Sequence, residues 1–302
     1  MNNFKLALDW TPNVNHIGFL IGVKKGYYKD LDINLEIINP KDDNYRETPA
    51  KKVEQGKADA ALCPTESLIS YRSKEKSFPL KAIAAIYQSD VSAICSLKSS
   101  QVQRPKDMDK KCYASYQARY EDHIVKEMIK NDGGFGDFQI SYPDKLGIWN
   151  TLLEGKADTT WIFRNWEGIQ AASKGVDLHY FKMEDYNIPY SYSPVIAINE
   201  NNFSMDKTQY RNFVKASKKG FLQAQENPAE AAEILSKYIP EYDQDIPLQK
   251  AVEYSADFMG DDKSWGKMRI DKINEFLDWI NDNHLEKQKF SADEIVTNEL
   301  LG

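Results

Sequence analysis

The chain has 302 residues, of which 41% are hydrophobic and 28% are charged. This length and composition allow a sizeable core in two domains or one large one, and they exclude a disordered or fibrous chain. The formal net charge of -7 disfavours nucleic acid as a partner, because an acidic surface repels phosphate backbones.

The first half of the chain alternates strands and helices. The apolar runs predict strands at residues 4–10, 33–38, 58–63 and 80–87. Helices are predicted at residues 16–25 and 46–55, each stopped by a glycine, and from Thr65 onwards. Short strands with helical connections indicate parallel β-α-β units with helices on both faces of a sheet.

The same pattern starts again at Val91. Strands are predicted at residues 91–97, 112–116, 138–142, 157–163, 178–182 and 194–199. Helices are predicted at residues 119–130 and in the segment that runs to Glu154 and ends at Gly155, and the chain after residue 199 reads as almost entirely helical.

A short internal repeat relates the two halves. Residues 53–62 read V-E-Q-G-K-A-D-A-A-L, and residues 152–161 read L-L-E-G-K-A-D-T-T-W. Each segment combines a helix end, a glycine cap, a charged turn and a buried strand. Either any helix-to-strand turn favours this motif, or the chain has two similarly built α/β lobes.

The second interpretation predicts a definite domain organisation. Lobe 1 takes residues 1–90, lobe 2 takes residues 91–190, and residues 191–302 return to lobe 1 as a strand and a helical C-terminal segment. The two crossings, near residues 89–91 and 190–192, form a hinge that closes on a ligand. Ligands of such sheets bind outside the carboxyl ends of the strands.

Aromatic, amide and carboxylate side chains are concentrated at these predicted strand ends. A flat heterocycle needs such a set, because aromatic faces stack on the ring while amides and carboxylates pair with its edge. The candidate ligand-binding residues are Trp10, Asn13, His16, Glu66, Ser67, Tyr87, Ser115, Tyr116, Trp161, Asn165, Glu167 and Tyr192.

Structural roles for the same residues stay open. Trp10 is alternatively a core residue, Asn13 a helix cap and His16 a helix-start residue without a partner. Glu66 and Ser67 are alternatively residues of a helical first turn, and Glu167 a solvated helix residue.

Metal and catalytic motifs are missing from the sequence. The three cysteines, Cys63, Cys95 and Cys112, are far apart, so we expect buried free thiols. There is no CxxC, no HExxH, no GxSxG and no glycine-rich phosphate loop, and no lysine is marked by its context as a Schiff base. We therefore expect a binding protein without metal or cofactor rather than an enzyme.

Location is left open by the sequence. The N-terminus reads MNNFKLALDW and lacks the basic and apolar segments of a secretory signal. No apolar run approaches the ~18 residues that a membrane-spanning helix needs. The protein is either cytoplasmic, or extracytoplasmic after removal of a signal.

Several motifs resemble those of a known superfamily. L-D-W-T-P-N-V-N-H-I-G-F at residues 8–19, followed by G-Y-Y at 26–28, resembles the opening of the thiamine-pyrimidine-precursor binding and synthase superfamily. The G-K-A-D at 56–59 with Glu66-Ser67, the Trp265-Gly266 pair, and the F-L-D-W and T-N-E-L motifs at 276–279 and 297–300 are similar to its substrate-binding branch. The resemblance covers nearly the whole chain and implies a type II periplasmic-binding-protein fold.

The resemblance implies one of two activities. One branch is the substrate-binding component of an ABC importer for formylaminopyrimidine or hydroxymethylpyrimidine, and the other is a synthase that consumes pyridoxal phosphate and its own histidine. Where the synthase carries its lysine and histidine, this chain has Cys63 and Ser67, and residues 190–194 replace its cysteine-rich cluster. These departures favour a binder over a synthase. We expect a monomer that hands its pyrimidine to an ABC permease. A synthase with pyridoxal phosphate, or a binder of another ligand such as an alkylsulfonate, is the alternative.

The resemblance also implies roles for individual residues. Trp10 and Trp161 stack on the ligand ring, and Tyr116 and Tyr192 are further walls. Asn13 pairs with the ring edge, and Glu167 accepts from the aminopyrimidine. The turn at residues 115–119 either holds an anionic group through helix N-terminal N–H groups or is capped by Ser115 or Gln117.

Overall fold

The structure, a computed structural model, describes residues 1–143 and 148–301. The chain divides into two compact units. Unit 1 contains Met1–Asp90 and Ser191–Gly302, and unit 2 contains Val91–Tyr190. Residues 144–147, within the segment where the sequence predicts the helix before Glu154, lie outside the described residues.

Strands form wherever the apolar runs predict them. In the described residues they are β1 (Asn2–Ala7), β2 (Ile33–Ile38), β3 (Ala60–Cys63), β4 (Leu80–Ala85), β5 (Ser92–Leu97), β6 (Cys112–Ala114), β7 (Gln139–Ser141), β8 (Thr159–Phe163), β9 (Leu178–Phe181) and β10 (Val195–Asn199). Several predicted strands extend too far: β1 ends at Ala7 rather than Trp10, and β4 ends at Ala85 rather than Tyr87.

Helices connect the strands and build the C-terminal segment. They are α1 (Ile17–Lys25), α2 (Pro49–Glu54), α3 (Thr65–Arg72), α4 (Glu121–Asn131), α5 (Ile148–Leu153), α6 (Ile169–Ser173), α7 (Glu200–Met205), α8 (Lys207–Glu226), α9 (Pro228–Leu235), α10 (Leu248–Met259), α11 (Ile270–Asp282) and α12 (Ala292–Ile295). None of the helices in the described ranges combines the length and the hydropathy needed to span a bilayer.

The two sheets share one strand order. Unit 1 has the order β2-β1-β3-β10-β4, and unit 2 has the order β7-β6-β8-β5-β9. When β6 to β9 are matched with β1 to β4, β5 takes the position of β10. This correspondence confirms the prediction of two similarly built lobes.

The predicted parallel β-α-β units are present, but each sheet also contains one antiparallel strand. Within unit 1, β10 runs antiparallel to both β3 and β4, and within unit 2, β5 runs antiparallel to both β8 and β9. The other strand pairs are parallel. Parallel strands need a crossover connection within the same sheet. Because β5 and β10 each enter from the other unit, they have no such crossover.

The repeated Gly-Lys-Ala-Asp motif performs the same task in both units. In unit 1, the backbone N–H of Lys5 donates to Asp59 Oδ2 at 2.7 Å, and the N–H of Asp59 donates to the Lys5 carbonyl at 2.9 Å. In unit 2, Cys112 and Asp158 make the same two bonds, both at 2.8 Å. Each aspartate therefore ties the strand that it begins to the first parallel strand of its unit.

This pairing predicts a cost when the carboxylate is removed. We expect Asp158→Ala to lower the free energy of unfolding by about 1–2 kcal/mol, because the N–H of Cys112 loses its acceptor. Urea denaturation measures the change. Lys156→Ala is the control, since its side chain is 69% exposed in the same turn. A loss no larger than that of the control would contradict this role.

The helical C-terminal segment packs onto β1 and α1 of unit 1. Phe213 of α8 stacks on Phe4 of β1 with ring centroids 4.3 Å apart, and Phe221 meets Phe19 of α1 edge-on at 5.2 Å. Unit 2 has a core of its own, formed by Cys95, Ala114, Leu152, Ala157, Ile162, Ala171 and Leu178. The cysteines are free thiols, with Cys63 and Cys95 buried and Cys112 half-buried.

Candidate functional site

The carboxyl ends of β1, β3 and β4 lie at one edge of the unit 1 sheet, because these three strands run in the same direction. Asn13 lies in the loop after β1, where it begins the short 3-10 helix Val14–His16. Its Oδ1 accepts from the N–H of Asn15 at 2.8 Å, and its Nδ2 donates to the Thr11 carbonyl at 3.2 Å. Asn13 therefore acts as a helix cap, the alternative that the sequence leaves open for it.

His16 is fully buried and has two partners, so the interpretation of a histidine without a partner is wrong. Its Nδ1 accepts from the backbone N–H of Asn13 at 3.1 Å. The ring proton must then be on Nε2, which donates to Asp9 Oδ1 at 2.8 Å. His16 orients the Asp9 carboxylate, whose side chain is 24% exposed.

The end of β3 places a thiol beside this pair. Burial raises the pKa of the Cys63 thiol far above its ordinary value, and the charge of Asp9 raises it further. Ser67, in the first turn of α3, hydrogen-bonds to the same sulfur. Glu66 is buried in that turn. Cys63 is thus a protonated, unreactive thiol at the edge that carries Asp9.

Tyr87 follows β4 and anchors the loop after β1. Its hydroxyl donates to Asn15 Oδ1 at 2.8 Å, and both side chains are buried. This bond ties the end of β4 to the short helix that carries His16. Tyr87 is therefore part of the support beneath the strand ends.

Trp10 is half-buried, so the interpretation of this residue as core is wrong. Its ring lies 5.3 Å from that of Tyr45, at an angle of 50°. The side chain of Tyr45 is 43% exposed, and its φ of 59° is a strained, left-handed conformation for an aromatic residue. Burial raises the pKa of Tyr45 to about 12, with the neighbouring Tyr242 adding to the shift.

In unit 2, Tyr116 and Glu167 lie near each other at the carboxyl ends of β6 and β8. Burial raises the pKa of Tyr116 well above its ordinary value, and the charge of Glu167 adds to this. Glu167 is half-buried, and its Oε2 accepts from the N–H of Phe163 at 2.9 Å. It lies in the π-helical turn Arg164–Gly168 rather than on a solvated helix face, and such turns are frequent at functional sites.

The other predicted residues of unit 2 are more deeply buried than Tyr116 and Glu167. Trp161 is 8% exposed and meets Tyr190 edge-on at 5.3 Å, and Asn165 is fully buried. Ser115 is buried, and its Oγ accepts from the N–H of Gln117 at 3.1 Å and donates to Asp122 at 2.6 Å. Ser115 thus has the capping role that the sequence left open.

Tyr192 lies just before β10 and is engaged within unit 1. Its hydroxyl accepts from the backbone N–H of Arg269 at 2.9 Å, and the Lys272 ammonium lies 4.5 Å from the ring centroid. Its carbonyl accepts from the hydroxyl of Thr65 at 2.8 Å. The ring is 2% exposed, so Tyr192 holds the start of β10 against α3 and α11.

The structure therefore brings several predicted residues together within each unit, and it adds others. Asp9, Asn15 and Tyr45 join the set of unit 1, although sequence reasoning did not select them. The sequence signals for them are weak: Asp9 is a carboxylate two residues beyond β1, and Tyr45 is an aromatic residue in a polar run. In the described ranges, no group of three or more His, Cys, Asp or Glu side chains is arranged to hold a metal ion.

Residues 13–231 match the family described as NMT1/THI5 like. The chain belongs to this family. It is 23% identical over 313 residues to the formylaminopyrimidine-binding protein of Halalkalibacterium halodurans, an alignment that covers 97% of this chain and 90% of that relative. It is also 23% identical over 157 residues to the 4-amino-5-hydroxymethyl-2-methylpyrimidine phosphate synthase of Candida albicans, covering 52% of this chain and 45% of the synthase.

Solved structures show the same fold. The periplasmic aliphatic sulphonate binding protein SsuA from Escherichia coli matches with a TM-score of 0.71 at 10% identity, over 98% of this chain and 92% of that one. At this identity the likeness concerns the fold alone. The predicted periplasmic-binding-protein fold with two α/β lobes is confirmed for this member of the NMT1/THI5-like family.

Proposed function

We propose that the protein binds a thiamine pyrimidine precursor, hydroxymethylpyrimidine or formylaminopyrimidine, and delivers it to an ABC importer. The observation that carries this proposal is the pairing of an accessible indole with an oriented carboxylate at the end of β1. Trp10 offers a partly exposed aromatic face, and Asp9 offers a carboxylate that His16 holds in place. An aminopyrimidine presents a flat ring and an exocyclic amine, which match these two groups.

Asp9 has the capacity to accept from such an amine. Its Oδ1 is bonded to His16, while its Oδ2 accepts no hydrogen bond from the described residues. We propose Asp9 as an acceptor for the amine of the ligand, with Trp10 and Tyr45 stacking on the ring. In unit 2 we propose Glu167 as a further hydrogen-bond acceptor for the ligand, and Tyr116 and Trp161 as aromatic contacts with it.

The relatives support this class of ligand. A relative named as a formylaminopyrimidine-binding protein aligns over almost the full length of both chains. The synthase alternative has less support, because the alignment with the synthase covers under half of that enzyme. A Schiff base with pyridoxal phosphate also needs an amine, and Cys63 at the matching position presents a buried thiol.

A thermal-shift screen tests the proposal. A ligand that binds only the folded state raises the melting temperature by mass action. We expect hydroxymethylpyrimidine or formylaminopyrimidine to raise it, and pyridoxal phosphate and alkylsulfonates to leave it unchanged. A rise with pyridoxal phosphate, together with Schiff-base absorbance, would instead identify a synthase. A rise with an alkylsulfonate alone would identify a binder of that ligand class instead.

Removal of the indole is expected to weaken pyrimidine binding. Trp10→Ala should raise the Kd by roughly 10- to 100-fold, because the ligand ring loses a stacking surface. Isothermal titration calorimetry measures the change. Trp279→Ala is a matched control, since Trp279 is also half-buried but stacks on Phe276 in α11. Equal affinities of the two variants would contradict the proposed contact.

Delivery to an importer requires a protein outside the cytoplasm, so we also propose an extracytoplasmic location. Fractionation of the source cells, followed by immunoblotting, tests this. Recovery of the protein with cytoplasmic markers would oppose an importer role but would leave pyrimidine binding intact.

A further inference from the structure

A loop of unit 2 has the geometry of an anion-binding site. Residues 115–118 follow β6 and lead to α4, and Gln117 has a left-handed φ of 62°. Such a turn makes successive backbone N–H groups converge on one point, where they can hold an anion. The nearby start of an α-helix favours negative charge at the same place.

The anion in this loop is a side chain of the protein itself. The N–H of Tyr116 donates to both carboxylate oxygens of Glu121, at 3.0 and 3.1 Å, and the N–H of Ala118 donates to Oε2 at 3.0 Å. The hydroxyl of Tyr113 donates to Oε1 at 2.6 Å. Glu121 is 1% exposed, so its carboxylate fills the site.

A second carboxylate strengthens the negative character of the loop. Asp122 Oδ1 accepts from Ser115 at 2.6 Å, and its Oδ2 accepts from the hydroxyl of Tyr142 at 3.0 Å. A phosphate, sulfonate or carboxylate approaching this loop would meet two acidic groups and N–H donors that are already used. Like charges at such distances repel strongly when they are shielded from water.

The loop also lies beside the candidate ligand residues of unit 2. Its Tyr116 provides one of the N–H groups that hold Glu121, and the same tyrosine neighbours Glu167 at the carboxyl end of β8. Ligands of open α/β sheets bind at these strand ends. A ligand that contacts Tyr116 therefore reaches the loop whose anion site is filled.

We propose that Glu121 determines ligand specificity by occupying the anion site of unit 2, so that the protein takes ligands without a phosphate, sulfonate or carboxylate group. This inference rests on the proposed function. The ligand is then the free pyrimidine, and its phosphate ester, pyridoxal phosphate and alkylsulfonates are rejected.

Calorimetry on the unaltered protein is the first test. Hydroxymethylpyrimidine and its phosphate ester differ only in the group that the loop should reject. We expect the ester to bind at least about 100-fold more weakly, because it places a charge against Glu121 and Asp122. Affinities within about threefold of each other would overturn the inference while leaving the proposed function standing.

A second test asks whether the loop can hold a free anion once Glu121 is removed. Glu121→Ala leaves the N–H groups of Tyr116 and Ala118 without an acceptor, so inorganic sulfate should take its place. The melting temperature of each protein is measured in sulfate at about 10 mM and in chloride at equal ionic strength. We expect sulfate to raise the melting temperature of Glu121→Ala by about 3 °C or more beyond the rise that it causes in the unaltered protein. An equal response of both proteins would overturn the inference.

Glu127→Ala is the matched control for the sulfate test. Glu127 lies on the same helix and pairs with Lys130, away from the loop. The Glu127→Ala variant should show the same change in melting temperature with sulfate as the unaltered protein. This comparison corrects for the general stabilising effect of the salt. If Glu121→Ala does not fold, Glu121→Gln replaces it, with a smaller shift of the same sign expected. If the unaltered protein binds neither pyrimidine, the proposed function fails, and the sulfate comparison still decides the role of Glu121.

Discussion

Gly220→Ala is expected to lower the free energy of unfolding by about 4 kcal/mol or more, or to prevent folding altogether. A Cβ atom at residue 220 would lie 1.9 Å from the carbonyl oxygen of Gly18, at the point where α8 crosses α1. That oxygen belongs to the helix backbone, so a side-chain rotation cannot relieve the clash. The helices would have to separate, and the Phe221 ring, which lies against Gly18, would lose its contact.

Denaturation in urea and the yield of soluble protein measure this effect. Lys215→Ala is the control, because Lys215 lies on the exposed side of the same helix and its replacement with alanine favours the helix. A loss below about 1 kcal/mol in Gly220→Ala would show that α1 and α8 can move apart freely. The close approach would then have no importance for stability.

Lys52→Met is expected to lower the free energy of unfolding by about 3 kcal/mol at pH 7, because it breaks a largely buried ion pair. The Lys52 side chain is 7% exposed, and its ammonium donates to Asp43 Oδ2 at 2.6 Å and to the Glu47 carbonyl at 2.7 Å. These bonds close the segment that holds Tyr45 beside Trp10. The variant should therefore also weaken ligand binding.

The pH dependence of this variant follows from Asp43. The hydrogen bond from Lys52 is the main cause that lowers the pKa of the Asp43 carboxyl below its ordinary value of 3.8. A lowered folded-state pKa contributes stability above pH 3.8, and this contribution is lost as the pH falls through the folded-state pKa. The difference in unfolding free energy between the unaltered protein and Lys52→Met should therefore become smaller in acid.

Urea titrations at neutral pH and in acid measure both parts of this prediction. Lys51→Met is the matched control, because Lys51 has a side chain that is 43% exposed and pairs with Glu54 on the same helix. Helix pairs that water reaches contribute about 0.5 kcal/mol. If both variants lost the same stability at pH 7, or if the difference stayed constant in acid, the buried pair would not have the assigned role.

The geometry of the candidate ligand site depends on contacts between residues that sequence reasoning treats separately. His16 and Asn13 are residues that the sequence predicts to touch a ligand, and the structure gives them supporting roles around Asp9. Asp9 and His16 are seven positions apart, on opposite sides of a turn, and only the path of that turn brings them into contact. Tyr45, whose backbone is left-handed, lies beside Trp10 although the two residues are distant in the sequence.

The filled anion site illustrates the same point in unit 2. The sequence predicts either a bound anion or a cap at residues 115–119, and both interpretations concern N–H groups at a helix start. Which of them applies depends on where the carboxylate of Glu121 points, and the four hydrogen bonds that it accepts come from residues before and within the turn. No periodicity in the sequence encodes that direction.

The sequence by itself determined the strands, the helix stops and the doubled architecture. Apolar runs bounded by Gly and Pro are local signals, and the repeated Gly-Lys-Ala-Asp motif marks one equivalent turn in each unit. Only the tertiary structure decided the direction of β5 and β10, the partners of His16 and the burial of Tyr192. These features depend on contacts between residues that are distant in sequence, and their energies are set by packing and hydrogen bonding rather than by local propensity.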